Sequence, residues 1–524
     1  MSSIIHSRNI QTALVFCAIL LCITAAPLVS QTAYEGYTLF NPTNSRSTYL
    51  IDMKGTTVKT WTNAQSGGYS VYLLPNGNII RPATYGSAVL RGAAYSGLIH
   101  QTDWSGKVVW SYVYSGSTYI AHHDICPMPN GNVVLIAWES KTAAEATALG
   151  RSNAATMWPD HLVEVKPTGA TTGEIVWEWH AWDHLVQDKD PAKPNYGVIS
   201  ENPGRLNINL GSVGGGPGGG DWLHINGVSY NAEDDLIVIS SHFMNEFYVI
   251  DHSTTTEEAR GRTGGRHGKG GDILYRWGKP SNYGATGATV FDVVHCSWWI
   301  PKGLPGEGHI LAFNNGASKR ASTIVEIVPP RDAEGRFLKT TGTAYGPASP
   351  VWSYSNGTLF YSTHLGGNQR LPNGNTHITE ATAGHLLEVS SDGTIVWDYQ
   401  YSREIARSLR YGKDYPGLAA LVTGTDDVPA AARTLHLDAA APNPFHGTTG
   451  LRFDLPADAT GRLVIYDALG RMVRTLAESS RGPGSFTAAW DGLDASGRPA
   501  SAGTYFCRLE STAGVRLQTL VLSR

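Results

Sequence analysis

The chain has 524 residues, and 40 Lys and Arg against 44 Asp and Glu give no electrostatic reason for a nucleic-acid partner. Its 59 glycines follow no triplet period, which excludes collagen, and 15 Trp with 24 Tyr at 16% charged residues exclude disorder over most of the length. Such a composition fits many short strands joined by tight turns, and the length predicts two to four domains.

Residues 1–30 read as a secretory signal peptide. Arg8 lies in a polar start, residues 13–23 are apolar, and small residues follow at Thr24, Ala25, Ala26 and Ser30. No later segment reaches about 18 apolar residues, so no membrane span is expected. Removing the leader leaves Cys126, Cys296 and Cys507, too few for a disulfide framework.

Two hairpin types alternate between residues 36 and 420. The first turns on Pro-Asn-Gly-Asn, at Pro75 to Asn78, Pro129 to Asn132 and Pro372 to Asn375, with degenerate copies at 230–235 and 300–309. Asn-Gly supplies the positive φ that a tight hairpin needs. The second ends in tryptophan, at Trp61, Trp110, Trp177, Trp277, Trp352 and Trp397. Six such endings, with one hairpin of each type per unit, predict a six-bladed β-propeller of four-stranded blades. Only five first-type hairpins lie between the six tryptophans, so residues 49–61 should share a blade with the chain after Trp397. The tryptophans are expected to pack between blades and to touch no ligand. Long insertions at 178–220 and 251–270 are expected to lie over one face.

In each blade the innermost strand precedes the first turn. Aligned on the turn proline, His123 lies six residues before Pro129, His295 six before Pro301, and His224 six before Tyr230. The same rung elsewhere carries Tyr69 and Gly366. Three consecutive blades thus place a histidine at one register, and the three should converge at one mouth of the channel. Period-two alternation puts Asn226 with His224 and Ser297 with His295, and turns Cys126 and Cys296 toward the blade sides. Two chemistries suit three imidazoles: a metal such as zinc, or an anion pocket with a nucleophilic imidazole. His180 and His184 have the i, i+4 spacing of helical zinc motifs but lack their carboxylate order.

The stretches His122-His123-Asp124, Asp221-Trp222-Leu223-His224-Ile225-Asn226 with Glu233-Asp234-Asp235, Val294-His295, and Arg370 to Asn375 followed by Leu387-Glu388-Val389 resemble the arylsulfotransferase family. The resemblance implies an exported six-bladed propeller that moves a sulfuryl group from a phenolic sulfate ester to a phenol. It implies a transient sulfo-histidine, no nucleotide donor and no cofactor. By position, His295 matches the histidine that becomes sulfated, His123 and His224 its partners, and Asn226 an accompanying polar residue. The family's arginine, eighteen residues after the second partner, is His242 here, following Ser240-Ser241. Around His295 the chain reads Val294-His295-Cys296 where many relatives have Gln-His-Asp. Histidine supplies the missing positive charge only when protonated. Substrate contacts are expected from Asn226, His242, Ser297 and Tyr69, with an aryl sulfate donor and a phenol acceptor as partners. The alternatives are a non-catalytic displayed binding propeller and a metal-dependent hydrolase using the same histidines.

Residues 421–435 read as a linker. Beyond them, Pro442-Asn443-Pro444-Phe445, a strand pattern at 451–455, Leu463-Val464-Ile465-Tyr466-Asp467, Trp490-Asp491-Gly492 and Gly503-Thr504-Tyr505-Phe506 predict a small β-sandwich over 436–524. Their order resembles the C-terminal sorting domain of the type IX secretion system. That implies secretion machinery as a partner and a secreted or cell-surface location.

Overall fold

The computed structural model describes residues 32–153, 155–213, 219–340, 342–422, 435–455, 460–478 and 484–523. The leader expected at 1–30, and nearly all of the linker expected at 421–435, lie outside the described residues. So do residues 214–218 of the glycine run before His224. Among the described residues no helix is long and apolar enough to cross a membrane.

The fold is all-β. Six four-stranded antiparallel sheets form the six blades of a propeller. From the inside outward, blade 2 is Tyr72–Leu73, Ile79–Thr84, Gly97–Thr102 and Val108–Val113. Blade 3 is Tyr119–Pro127, Val133–Glu139, Asp160–Gly169 and Thr172–His180. Blade 4 is Ile225–Asn231, Leu236–Ser241, Glu246–Asp251 and Tyr275–Trp277. Blade 5 is Val294–Trp299, Ile310–Asn314, Thr323–Ile327 and Trp352–Tyr354. Blade 6 is Gly367–Arg370, Thr376–Glu380, His385–Val389 and Ile395–Gln400. Blade 1 is composite, as expected. Its inner strand, Ile405–Gly412, comes after blade 6 and pairs antiparallel with Gly36–Pro42, followed by Ser47–Ile51 and Thr57–Thr62. Residues far apart in sequence thereby close the ring.

The Pro-Asn-Gly-Asn turns form as their chemistry dictates. Gly77, Gly131 and Gly374 hold φ between +86° and +89°, and Asn76 and Asn130 accept hydrogen bonds from Asn78 N–H and Asn132 N–H. The second strands are buried on both faces, as Leu236–Ser241 is, because each blade packs between two others. Between blades 3 and 4, Ile136, Leu162 and Trp177 meet Val228, Ile237, Ile239 and Tyr248.

Every blade-ending tryptophan does the same work. Its indole N–H donates to the turn between the third and fourth strands of the next blade, or to the start of that fourth strand. Trp61 donates to Asp103 O, Trp110 to Thr172 O, Trp177 to Thr254 Oγ1, Trp277 to Pro347 O and Trp352 to Ser391 O. Trp397 returns to Met53 O of blade 1 at 2.8 Å. Each bond contributes about 0.5–1.5 kcal/mol net and satisfies a donor that packing would otherwise strand.

Ion pairs form a second set of inter-blade ties. Third-strand carboxylates reach the following blade: Glu164 to His252 at 3.0 Å, Glu326 to Arg370, and Glu388 to Arg410 at 3.2 Å. His252 also meets Asp235 at 2.7 Å. Burial opposes its charge, but the hydrogen bonds to Asp235 and Glu164 outweigh that and push its pKa up to about 9. A raised folded-state pKa stabilises fully below the unfolded value near 6.5 and loses that stability as pH rises through 9. Denaturant titrations between pH 6 and 10 should show this alkaline loss, and His252→Gln should flatten it.

The described parts of 436–524 form a two-sheet β-sandwich. One sheet orders His436–Leu437, Thr449–Leu455 and Gly484–Trp490, and the other Met472–Glu478, Gly461–Asp467, Gly503–Ser511 and Gly514–Leu522. Phe453, Leu463, Trp490 and Leu509 are buried between them.

Candidate active site

The three aligned histidines meet, and they recruit a fourth. Ring centroids lie 4.5 Å apart for His123 and His224, 5.0 Å for His224 and His242, and 5.4 Å for His242 and His295. All three inner strands break their regular register at this level. Three residues, 122–124, face one residue of the neighbouring strand in blade 3, and single-residue bulges follow in blades 4 and 5. His123 and His224 adopt φ of +51° and +52°, and Cys296 one of +45°. Left-handed backbone at non-glycine residues costs roughly 1–3 kcal/mol each and persists only where the surroundings impose it.

The bulges overturn the expected alternation. Asn226 does not join His224 at the mouth. Its amide donates to Val294 O of blade 5 at 2.8 Å and accepts from Ser240 Oγ at 2.7 Å, so it staples two blades beside His295. Cys296 does not face a blade side either. Its sulfur lies 3.8 Å from Nη1 of Arg407, which crosses the channel from blade 1. Cys126 and Cys296 are free thiols, as is Cys507.

His295 is oriented by a residue that sequence reasoning missed. Asn315 donates both amide hydrogens, to Ser362 O at 2.9 Å and Leu365 O at 2.8 Å. Its Oδ1 must therefore accept, at 2.6 Å, from His295 Nδ1. That leaves the lone pair of His295 on Nε2, which meets only the Leu365 N–H at 3.3 Å. His224 is held by the carboxylate of Asp221 at 2.5 Å, whose other oxygen accepts from Trp138 Nε1 at 3.1 Å. His123 Nδ1 lies 2.8 Å from His122 Nδ1.

Three of the four rings are held uncharged. Burial, then neighbouring imidazoles, holds His123 and His295 well below the ordinary histidine range. Burial first, then His224, brings His242 down to about 3. At neutral pH these rings are uncharged and nucleophilic in principle. Three of the four residues expected to touch substrate carry buried polar atoms without a partner: Tyr69 Oη, His242 Nδ1 and Ser297 Oγ. The Tyr69 ring lies 5.5 Å from His123. Phe243, half-buried, sets its ring 4.9 Å from both His224 and His242, an aromatic wall that sequence reasoning missed.

Below the histidines, Arg407 plugs the channel. It pairs with both oxygens of Asp124, bonds Tyr72 Oη, and lies 5.0 Å from the Trp298 ring. Asp124 also accepts from Ser70, Tyr72 and the backbone N–H groups of Ile125 and Val228.

His180 and His184 form no joint site. A single 3₁₀ turn separates them; His180 bonds Glu139, and His184 bonds Asp272 and Ala259 O. Among the described residues no three His, Cys, Asp or Glu side chains are arranged to hold a metal ion.

Residues 24–411, about three quarters of the chain, match the arylsulfotransferase (ASST) family model. The chain belongs to the arylsulfotransferase family. His123, His224, His242 and His295 all lie within the matched region. Residues 440–514 match the FlgD Ig-like domain, in keeping with the sandwich. No curated protein matches the chain. Among solved structures, a protein of unknown function from Bacteroides caccae is 10% identical over 72% of this chain and 98% of its own, with a TM-score of 0.39. Citrobacter koseri AztD is 8% identical over 87% and 99%, with a TM-score of 0.31. Kuenenia stuttgartiensis hydrazine synthase is 14% identical over 55% and 67%, with a TM-score of 0.30. At these values none bears on what this arylsulfotransferase-family chain does.

Proposed function

We propose that this protein transfers a sulfuryl group from an aryl sulfate to a phenolic acceptor through a sulfated His295. The observation that carries the reading is the Asn315 clamp, which makes Nδ1 of a neutral imidazole the donor and leaves the lone pair on Nε2, where the Leu365 N–H holds it by a long 3.3 Å contact that substrate can displace. Nε2 attacks sulfur as the bond from sulfur to the aryl oxygen breaks. The positive charge developing on the ring is shared through Nδ1–H with Asn315. Sulfuryl transfer resembles phosphoryl transfer, with a loose in-line transition state and charge on three equatorial oxygens. His224, His242 and the unpartnered hydroxyls of Tyr69 and Ser297 are the donors for those oxygens, each contributing about 3–4 kcal/mol if well aligned. Phe243 supplies a face for the aryl ring. The test is incubation with a chromogenic aryl sulfate, with and without added phenol, followed by mass spectrometry of the His295 peptide. Phenol release with sulfate on His295 supports the reading; its absence refutes it.

A non-catalytic binding propeller is the second reading, and the neutral His242 favours it. His242→Arg separates the two. In a working enzyme a fixed cation should lower the donor KM about tenfold, because a charged hydrogen bond contributes about 1.5–3 kcal/mol. In a binding protein both forms stay inert. Export through the periplasm to the surface or medium is part of the same proposal, read from residues 1–30 and 436–524. Following the fate of a chain truncated after residue 435 tests the sorting role.

A further inference from the structure

The site has a proton problem that its burial makes acute. A departing phenolate needs a proton, and His122, His123 and Asp160, at most 2% exposed, are shielded from bulk water. His122, adjacent to His123 in the bulge, has no role in the chemistry described so far. Its Nδ1 faces His123 Nδ1 at 2.8 Å, and its Nε2 lies 3.0 Å from Asp160 Oδ1 in blade 3. That second contact is off the ideal hydrogen-bond direction, as catalytic bonds often are before substrate binds. The ring cannot drift, because it stacks on Trp138 at 3.8 Å and 13°. Trp138 in turn bonds Asp221, the carboxylate that holds His224. Asp160 Oδ1 also accepts from Ile225 N–H of blade 4 at 3.1 Å, which locks the carboxyl in place.

We propose that Asp160, His122 and His123 form a buried proton relay that gives one proton to the departing phenolate and recovers one from the acceptor phenol. This rests on the sulfuryl-transfer reading above. In the loaded state Asp160 carries a proton, His122 is protonated on Nδ1 and His123 on Nε2. As the N–S bond to His295 forms and the S–O bond breaks, His123 Nε2–H protonates the phenolate oxygen. His122 Nδ1–H then protonates His123 Nδ1, and Asp160 protonates His122 Nε2. Both imidazoles end neutral with exchanged tautomers, and Asp160 ends as a carboxylate. When the acceptor oxygen attacks sulfur and the N–S bond breaks, its proton returns by the same route. The cycle balances with no proton from solvent.

The surroundings fit a carboxylic acid at rest. Burial, then the neighbouring Asp221, holds the Asp160 carboxyl well above the usual carboxylate range, against the pull of the Ile225 and His224 backbone donors. Burial, then His224 and His161, keeps His122 from charging. Among the described residues the other titratable groups acting on His122 and His123 are the imidazoles of His161, His224, His242 and His295, with the Tyr69 ring 5.5 Å from His123, and none of these is a fixed positive charge.

The experiment compares full-length protein with Asp160→Asn on two donors. The amide keeps the shape and a donor toward His122 but carries no transferable proton. With phenyl sulfate, whose phenolate is a strong base of pKa about 10, kcat should fall about 100-fold, the lower range of general-acid effects. With 4-nitrophenyl sulfate, whose leaving group needs little help, the loss should stay within about fivefold. Equal losses on both donors, or no loss on phenyl sulfate, would overturn the relay. If Asp160→Asn does not fold, His122→Gln is measured in the same way with the same expectation. If the unaltered protein turns over neither donor, the sulfuryl-transfer reading has failed and the relay falls with it; turnover with equal losses on both donors overturns the relay alone. In a protein that turns over, ¹⁵N NMR of the resting state should find His122 protonated on Nδ1 and His123 on Nε2, and the opposite tautomers overturn the relay.

Discussion

His295→Ala is expected to abolish phenol release from an aryl sulfate, with a loss on the order of 10⁴–10⁶ in kcat, as for removal of a nucleophile that works as part of a unit. The size follows from what the residue holds. No other described imidazole of the cluster has one nitrogen fixed by a side-chain amide that is itself fixed by two carbonyls. His123 and His224 have their Nδ1 atoms engaged by His122 and Asp221, which suits proton transfer and oxygen binding. Asn315→Leu should imitate the loss in part, by about 100-fold, because it frees the ring and the 362–365 loop together without removing the nucleophile. The check is stopped-flow phenol release plus mass spectrometry for the sulfated peptide. Retention of full activity in His295→Ala would remove the sulfo-histidine intermediate from consideration.

Asp124→Ala, or Arg407→Ala, is expected to destabilise the propeller by about 3–5 kcal/mol, because each leaves an uncompensated buried charge. Arg407 and Asp124 are at most 2% exposed, and their pairing joins blade 1 to blade 3 across the axis. The double variant Arg407→Met with Asp124→Val should be less destabilised than either single change, since no charge remains buried. It should not return to the starting stability, because the N–H groups of Ile125 and Val228 lose their acceptor. Urea denaturation of the three variants reads this pattern. A double variant as unstable as the sum of the singles would show that the pair contributes independent packing and no coupled charge.

Much of the fold was legible because its code is local. Trp61 through Trp397 each end a hairpin, and each marks one blade because only a blade edge offers the indole N–H a turn carbonyl or hydroxyl next door. Asn-Gly turns reported the hairpins, since few other dipeptides accept their backbone angles. The register of His123, His224 and His295 came from counting back to those turns. Counting failed within two residues of the histidines. A bulge adds residues without changing the pattern of residue types, so Asn226 and Cys296 were assigned to the wrong sides.

What the sequence determines alone is the architecture and the chemical type of the site: six units, a composite closing blade, a small terminal sandwich and a ring of imidazoles. What only the tertiary structure decides is how each imidazole is held and charged. Asn315 lies 20 residues from His295, and Asp124 lies 283 from Arg407. Asp160, on the third strand of blade 3, reaches His122 on the first strand past the strand between them. No periodicity encodes such partners: Arg407 meets Asp124 through the stacking of blades around an axis, and the other two pairs meet across the strands of one blade where bulges break the register. The same stacking excludes water, and the loss of water is what makes His242 neutral, Asp160 acidic in form, and the pairing of Arg407 indispensable.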